Sequence, residues 1–131
     1  VCHWTGIHWN GEEKGFKVFQ EVVRRLHARF DNLLWMKLSE LARYWAAKEL
    51  TAIAKANGRV TLKAPFAAPG FTFELPGVAG APIVRHGASE IKLKKVSSAP
   101  QLSAGTWTEA GAEGRVIICF DLEKGTTTIS A

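Results

Sequence analysis

The spacing of apolar residues changes at Gly58, and this change constrains the fold of the 131-residue chain more than any single motif does. Before Gly58, apolar residues recur every three to four positions, which is the period of an α-helix. After Gly58, apolar and polar residues alternate between frequent glycines and prolines, a pattern typical of antiparallel strands. We therefore predict two domains, residues 1–57 and residues 58–131.

The first domain is predicted to contain two helices. The first helix, at about residues 15–30, has apolar residues at a four-residue spacing, namely Val18, Val22, Leu26 and Phe30. The second helix begins after Ser39, a good N-cap, and Asn57-Gly58 is interpreted as its C-terminal stop. Trp35 and Trp45 lie in apolar positions, and we expect both of them in the core.

Short apolar runs before each helix predict strands. Val1 and Cys2 can end a buried strand, and residues 33–36 form a continuous apolar run that favours a strand buried on both faces of a parallel sheet. This order of strand, loop, helix, strand and helix indicates an α/β architecture. Because two strands do not make a stable sheet alone, we expect the rest of the sheet upstream, in a longer protein.

The second domain is predicted to be an antiparallel β-sandwich or open barrel. Alternation of apolar and polar residues, or short apolar runs, place strands near residues 60–64, 71–75, 91–93, 116–120 and 126–130.

The charge and hydropathy of the chain bear on its partners. The net charge of +5 is divided evenly between the domains, and the tight group Lys92, Lys94 and Lys95 has the alternation of a solvated strand face. No window approaches the roughly 18 apolar residues that a membrane-spanning helix needs. We therefore expect neither a nucleic acid nor a membrane as partner.

Cys2 and Cys119 are far apart in the sequence, and each is flanked by apolar residues. Two buried thiols that act as small apolar side chains are the simplest interpretation. A disulfide between them is the alternative, although two cysteines do not make a disulfide framework.

The loop that follows the first predicted strand concentrates polar and aromatic side chains. Within Val1–Gly11 it places close together His3, Trp4, His8, Trp9 and Asn10. Flat aromatic faces, imidazoles and an amide are the components of a sugar-binding site, and loops on a rigid scaffold are where binding residues concentrate.

Each of these residues has an alternative role. His3 is a candidate general acid or a hydrogen-bonded core histidine, and Trp4 and Trp9 either stack on sugars or plug a cavity. Trp107, between two threonines, is a second sugar-stacking candidate or a half-buried strand residue. His8 is expected to line a cleft, because a zinc site needs three or four ligands and this segment offers too few. We therefore predict no metal site in this chain.

The run Leu34–Trp45, read as LWMKLSELARYW, carries a resemblance to a known family. It is similar to the closing helix of the polysaccharide deacetylase (NodB-type) family, which follows a pattern like S-E-[LI]-A-R-[YH]-W. The resemblance extends from His3 to Trp45. It implies that residues 1–57 are the last units of an incomplete β/α barrel, with residues 58–131 an appended β-sandwich.

The same resemblance implies a function. Members of this family remove acetyl groups from glycans with a divalent metal, usually zinc, held by one aspartate and two histidines from early strands. Those ligands are not in this sequence, so the metal is expected only in a longer parent protein and the chain alone is expected to be inactive. His3 matches the late histidine that acts as acid, and the expected partner is a polysaccharide or oligosaccharide. The alternative function is a carbohydrate-binding or structural β-sandwich module without catalysis.

Overall fold

A computed structural model of the chain describes residues 4–76, 80–111 and 114–130, without the side chains of Trp4 and Thr5. The chain forms two compact units, Val1–Trp35 and Met36–Ala131, called unit 1 and unit 2 below. The domain boundary predicted near Gly58 stays a prediction.

Unit 1 contains the short helix α1, Trp4–Ile7, and the longer helix α2, Lys14–Arg29. The predicted first helix is confirmed, and its ends differ by one residue from those expected. The apolar stripe of α2 predicted from the sequence is present, but none of the side chains in this helix is buried. Val18 is 64% exposed, and Phe19 and Val22 are each 49% exposed.

Unit 2 begins with helix α3, Leu38–Leu50, and continues as strands. The described strands are β1 Ala52–Ala56, β2 Arg59–Ala64, β3 Ala68–Leu75, β4 Ile83–His86, β5 Ser89–Lys92, β6 Lys94–Lys95, β7 Thr106–Ala110, β8 Arg115–Leu122 and β9 Gly125–Ser130. A 3-10 turn, Ala99–Gln101, lies between β6 and β7.

These strands form two sheets, one of five strands in the order β1-β2-β9-β4-β5 and one of four in the order β3-β8-β7-β6. All pairs are antiparallel except the two-residue parallel pair β6–β7. Alternate residues of both sheets meet in one buried cluster, which includes Leu62, Val84, Ile118, Phe120 and Ile129. The rings of Phe71 and Phe120 meet edge to face there, with centroids 6.2 Å apart. The core of unit 2 therefore lies between two packed sheets.

Helix α3 covers an edge of the four-stranded sheet. The Tyr44 hydroxyl accepts a hydrogen bond from the Thr72 backbone N–H at 3.4 Å, and Ala47 is fully buried. At its start, the Glu40 carboxylate accepts from the Lys37 backbone N–H at 2.7 Å. Because β3 is an edge strand, the helix protects backbone groups that would otherwise be open to pairing with another chain.

The expectation of β/α barrel units is wrong. Residues 33–36 form no strand. Leu34 is 79% exposed, so this run lacks the cover that a parallel strand requires. Helix α3 ends at Leu50, and the next residues form β1 instead of a further helical turn. Asn57-Gly58 is the tight turn between β1 and β2, with positive φ at both residues, 49° and 71°. An Asn-Gly pair between two short strands is a hairpin signal.

The sandwich half of the prediction is consistent with the two sheets, and strands are found at all five positions predicted after Gly58. Cys119 is a buried free thiol on β8, and burial raises its pKa, because the thiolate is poorly solvated there. Cys2 lies outside the described residues.

Candidate functional site

The Trp9 turn, residues 8–12, is the part of the predicted sugar loop that the structure describes most fully. The backbones of Trp9 and Glu12 exchange two hydrogen bonds, of 3.2 and 2.8 Å. The residues between them, Asn10 and Gly11, have positive φ values of 50° and 78°. This is the geometry of a two-residue turn for which Asn-Gly is the preferred sequence. The sequence therefore fixes the turn locally.

The turn presents Trp9 to solvent. The side chain is 63% exposed, although tryptophan is one of the most apolar large residues. Trp9 and Glu12 are direct partners across the turn, so their side chains lie on the same side of it. The exposed Asn10 side chain stands at the tip, with an amide that can both donate and accept hydrogen bonds.

His8 fixes the turn onto helix α2. Its ring stacks on Phe16, with centroids 5.7 Å apart and planes 24° apart. Close approach of two glycines supports the same region, because a Cβ built on Gly15 would overlap the carbonyl oxygen of Gly6. No side chain larger than hydrogen fits at Gly15, so this residue permits α1 to lie directly against the start of α2.

An open depression of about 330 Å³ borders the turn, lined by Gly11, Glu12, Glu13, Lys14 and Lys17. Glu12 and Lys14 form an ion pair of 2.7 Å beside it, with both side chains largely exposed. The lining of the depression does not include Trp9 or Asn10, whose indole and amide lie on the adjoining turn. An exposed indole with an amide and paired charges next to it in the chain can hold a ring with an apolar face and a polar rim.

The other residues predicted for this site are placed elsewhere or fall outside the description. His3, the predicted acid, lies outside the described residues. Trp4 belongs to α1, and its side chain is not among those that the structure describes. Of the predicted site residues, His8, Trp9 and Asn10 lie consecutively on the Trp9 turn, and their role in binding stays a prediction.

Trp107 lies on β7, opposite Ile118 of β8, and is only 6% exposed. The Lys95 ammonium sits 5.2 Å from the centre of its ring and also pairs with Glu109 at 2.6 Å. This burial favours the alternative role, a strand residue packed in the core. Its role as a sugar contact stays a prediction.

Two tryptophans expected in the core are exposed instead. Trp35 is 56% exposed and donates from Nε1 to Nε2 of His27 at 3.0 Å. Trp45 is 63% exposed on α3, with the Lys48 ammonium 5.5 Å from its ring centre. The expectation is wrong because periodicity shows which side of an element is apolar, but not whether another element covers that side.

Among the described residues, no group of three or more histidine, cysteine, aspartate or glutamate side chains is arranged to hold a metal ion. These residues do not fit the zinc centre of a deacetylase, so no metal-dependent step is assigned to them. No helix in the described part of the chain is long and apolar enough to cross a membrane.

Comparison with known proteins adds no assignment. No family model, curated protein or solved structure matches the chain.

Proposed function

We propose that the chain binds a glycan through the Trp9 turn, as a non-catalytic part of a carbohydrate-active protein. The observation that carries the proposal is the 63% exposure of Trp9 on a turn fixed by two backbone hydrogen bonds. An exposed indole offers a flat apolar surface to a ligand, and an indole face matches the apolar face of a pyranose ring.

Polar groups beside the indole support the same class of ligand. The Asn10 amide can donate to one sugar hydroxyl and accept from another. The Glu12 carboxylate accepts from hydroxyl groups, and its ion pair with Lys14 keeps it beside the turn. An acetylated sugar suits this site because its methyl group adds apolar surface next to the ring. A parent enzyme that removes such acetyl groups, with His3 as acid, is the wider proposal that the family resemblance suggests.

Titration calorimetry with N-acetylglucosamine oligosaccharides tests the proposal. Covering roughly 80 Å² of the indole would contribute about 2 kcal/mol, so Trp9→Ala should weaken binding roughly thirtyfold. Trp45→Ala is the matched control, because Trp45 has the same 63% exposure and lies in unit 2. Equal affinities for the two variants would contradict the proposal.

A second variant separates the amide from the backbone of the turn. Asn10→Gly removes the amide but keeps a residue that readily adopts the positive φ observed there. We expect a loss of affinity of about fivefold, which corresponds to one hydrogen bond. If Asn10→Gly binds the oligosaccharide as tightly as the unmutated chain does, Asn10 only shapes the turn.

A further inference from the structure

The five-stranded sheet of unit 2 has an outer face that carries an unusual charge. Alternation along β2 sends Val60, Leu62 and Ala64 into the core, so Arg59 and Lys63 lie on the other side. The same alternation along β4, with Val84 buried, places Arg85 on this outer side. This surface is called the outer face below.

The strand register extends the outer face across all five strands. One row joins Ala54, Thr61, Thr128, Arg85 and Glu90, each residue paired with the next across a strand boundary. Lys92 is paired with Ile83 and Lys63 with Thr126, which places both lysines on the same side. The face therefore holds four cations, and most of the residues between them are small or carry a hydroxyl group.

One carboxylate offsets these cations. Glu90 binds Arg85 through two hydrogen bonds, of 2.8 and 3.0 Å. Among the described residues, none forms an ion pair with Arg59, Lys63 or Lys92. These three side chains are exposed. The face thus carries a net charge of about +3, with its negative group already paired.

Spacing on the face suits an extended ligand. Continuing the register from Val60–Ile129 puts Arg59 and Lys92 in the same row. Three strand spacings separate these two residues, a distance of about 14 Å. Arg59 and Lys63 lie four positions apart on one strand, and four strand residues span about 13 Å. Arg85 lies in the row between them, where its guanidinium also contacts the Ser130 hydroxyl at 3.4 Å.

We propose that the outer face binds an anionic polysaccharide, whose carboxylate or sulfate groups pair with Arg59, Lys63 and Lys92. Hydroxyl groups of Thr61, Thr126 and Thr128 lie between the cations and can bond to sugar hydroxyls. The three outward residues of β1 are alanines, so that edge of the face carries only small side chains.

The composition of the face favours a glycan over a nucleic acid. Single-stranded nucleic acids bind where bases stack on aromatic side chains, and no aromatic residue lies in the described outer positions. Sequence-specific duplex binding places a helix or a β-ribbon in a groove, whereas these cations lie across the face of a five-stranded sheet. The site consists of residues different from those of the Trp9 turn and does not require the proposed function above.

The test uses the full chain and two pairs of polymers at low salt. The first pair is polygalacturonate and its methyl-esterified, uncharged form, and the second is dextran sulfate and dextran. We expect the charged member of at least one pair to bind and its neutral partner not to bind. The pair that binds distinguishes carboxylate from sulfate. Rising salt should weaken binding, because it screens exposed charges.

Variants then locate the site. The triple variant Arg59→Gln, Lys63→Gln, Lys92→Gln should bind about tenfold more weakly, since three surface ion pairs are lost. The control Lys48→Gln, Lys94→Gln, Lys124→Gln removes the same charge elsewhere and should bind like the unmutated chain. Matching circular dichroism and melting curves would show that both variants are folded.

Three outcomes overturn the inference. They are failure of every anionic polymer to bind, equal losses in the two triple variants, and tighter binding of duplex DNA than of either anionic polymer. Binding of the neutral oligosaccharide at Trp9 with no anionic polymer bound would overturn this inference alone. Binding of an anionic polymer with no binding of the neutral oligosaccharide would overturn only the function proposed for the Trp9 turn.

Discussion

The two units differ in the burial of their apolar residues. In unit 2, strands from two sheets bury a continuous core, with Leu62, Val84 and Ile118 fully covered. In unit 1, no side chain described between residues 6 and 35 is buried. Helix α2 has a regular apolar stripe, yet Val18 remains 64% exposed. An apolar pattern therefore specifies the type of element, whereas burial depends on whether a second surface is present.

The difference has consequences for stability. Isolated helices of about 15 residues are marginal in water, since most helix stability in proteins comes from tertiary packing. The described contacts of α2 join residues that lie close together in the sequence, such as the ion pairs of Glu21 with Arg24 and Arg25. We expect unit 2 to unfold cooperatively and α2 to open at lower free energy.

The largest expected contrast is between two phenylalanines. Phe120→Ala removes a ring that is fully buried, and it should lower the free energy of unfolding by about 3–5 kcal/mol. Phe19→Ala removes a ring that is 49% exposed. This second change should cost only about 1 kcal/mol, because about half of the ring surface is already in contact with water. Urea denaturation followed by circular dichroism measures both. Similar costs would mean that the apolar stripe of α2 is covered in solution. The two units would then not differ in the burial of their apolar residues.

The next largest effect concerns the one close backbone contact found among the described glycines of unit 1. Gly15→Ala puts a methyl group where the Gly6 carbonyl oxygen lies, and the overpacking should cost about 1–3 kcal/mol locally. Faster amide exchange at residues 6–12, with unchanged exchange in the strands of unit 2, is the expected readout. The glycan binding proposed for the Trp9 turn should weaken with it.

Gly6→Ala is the control for that change. A Cβ at Gly6 has no described atom within 4 Å, and alanine favours the helix more than glycine does. Amide exchange in residues 6–12 should stay the same or become slower. If both alanine variants accelerate exchange equally, the contact between α1 and α2 does not stabilise the turn.

Local signals predict much of this structure correctly. The apolar spacing in α2 and the alternation in β2 and β3 are repeated over enough residues to define a helix and strands. Residues 33–36 and Asn57-Gly58 mislead because a short apolar run and an Asn-Gly pair fit more than one structure. Asn57-Gly58 is a hairpin turn because β1 pairs with β2. The local sequence pattern does not show that β1 has this partner strand.

The same distinction applies to the two candidate sites. His8, Trp9 and Asn10 are consecutive, so their proximity could be predicted without knowing the fold. Arg59 and Arg85 are far apart in sequence and share a face only through the register of β2, β9 and β4. Charge counting shows an even distribution along the chain, because the concentration of cations arises only when the strands pair.

The smallest expected effect tests whether local ion pairs sustain α2. Hydrogen bonds from Arg24 and Arg25 lower the pKa of Glu21 from 4.5 to about 2. Because the folded pKa lies below the unfolded value, the stabilisation is complete above about pH 4.5 and is lost as the pH falls towards 2. Helical circular dichroism should decline over that range at low salt, and less so in Glu21→Gln than in the control Glu49→Gln. A Glu21 carboxyl that titrates near 4.5 by NMR would show that these ion pairs do not persist in solution, and α2 would then need another source of stability.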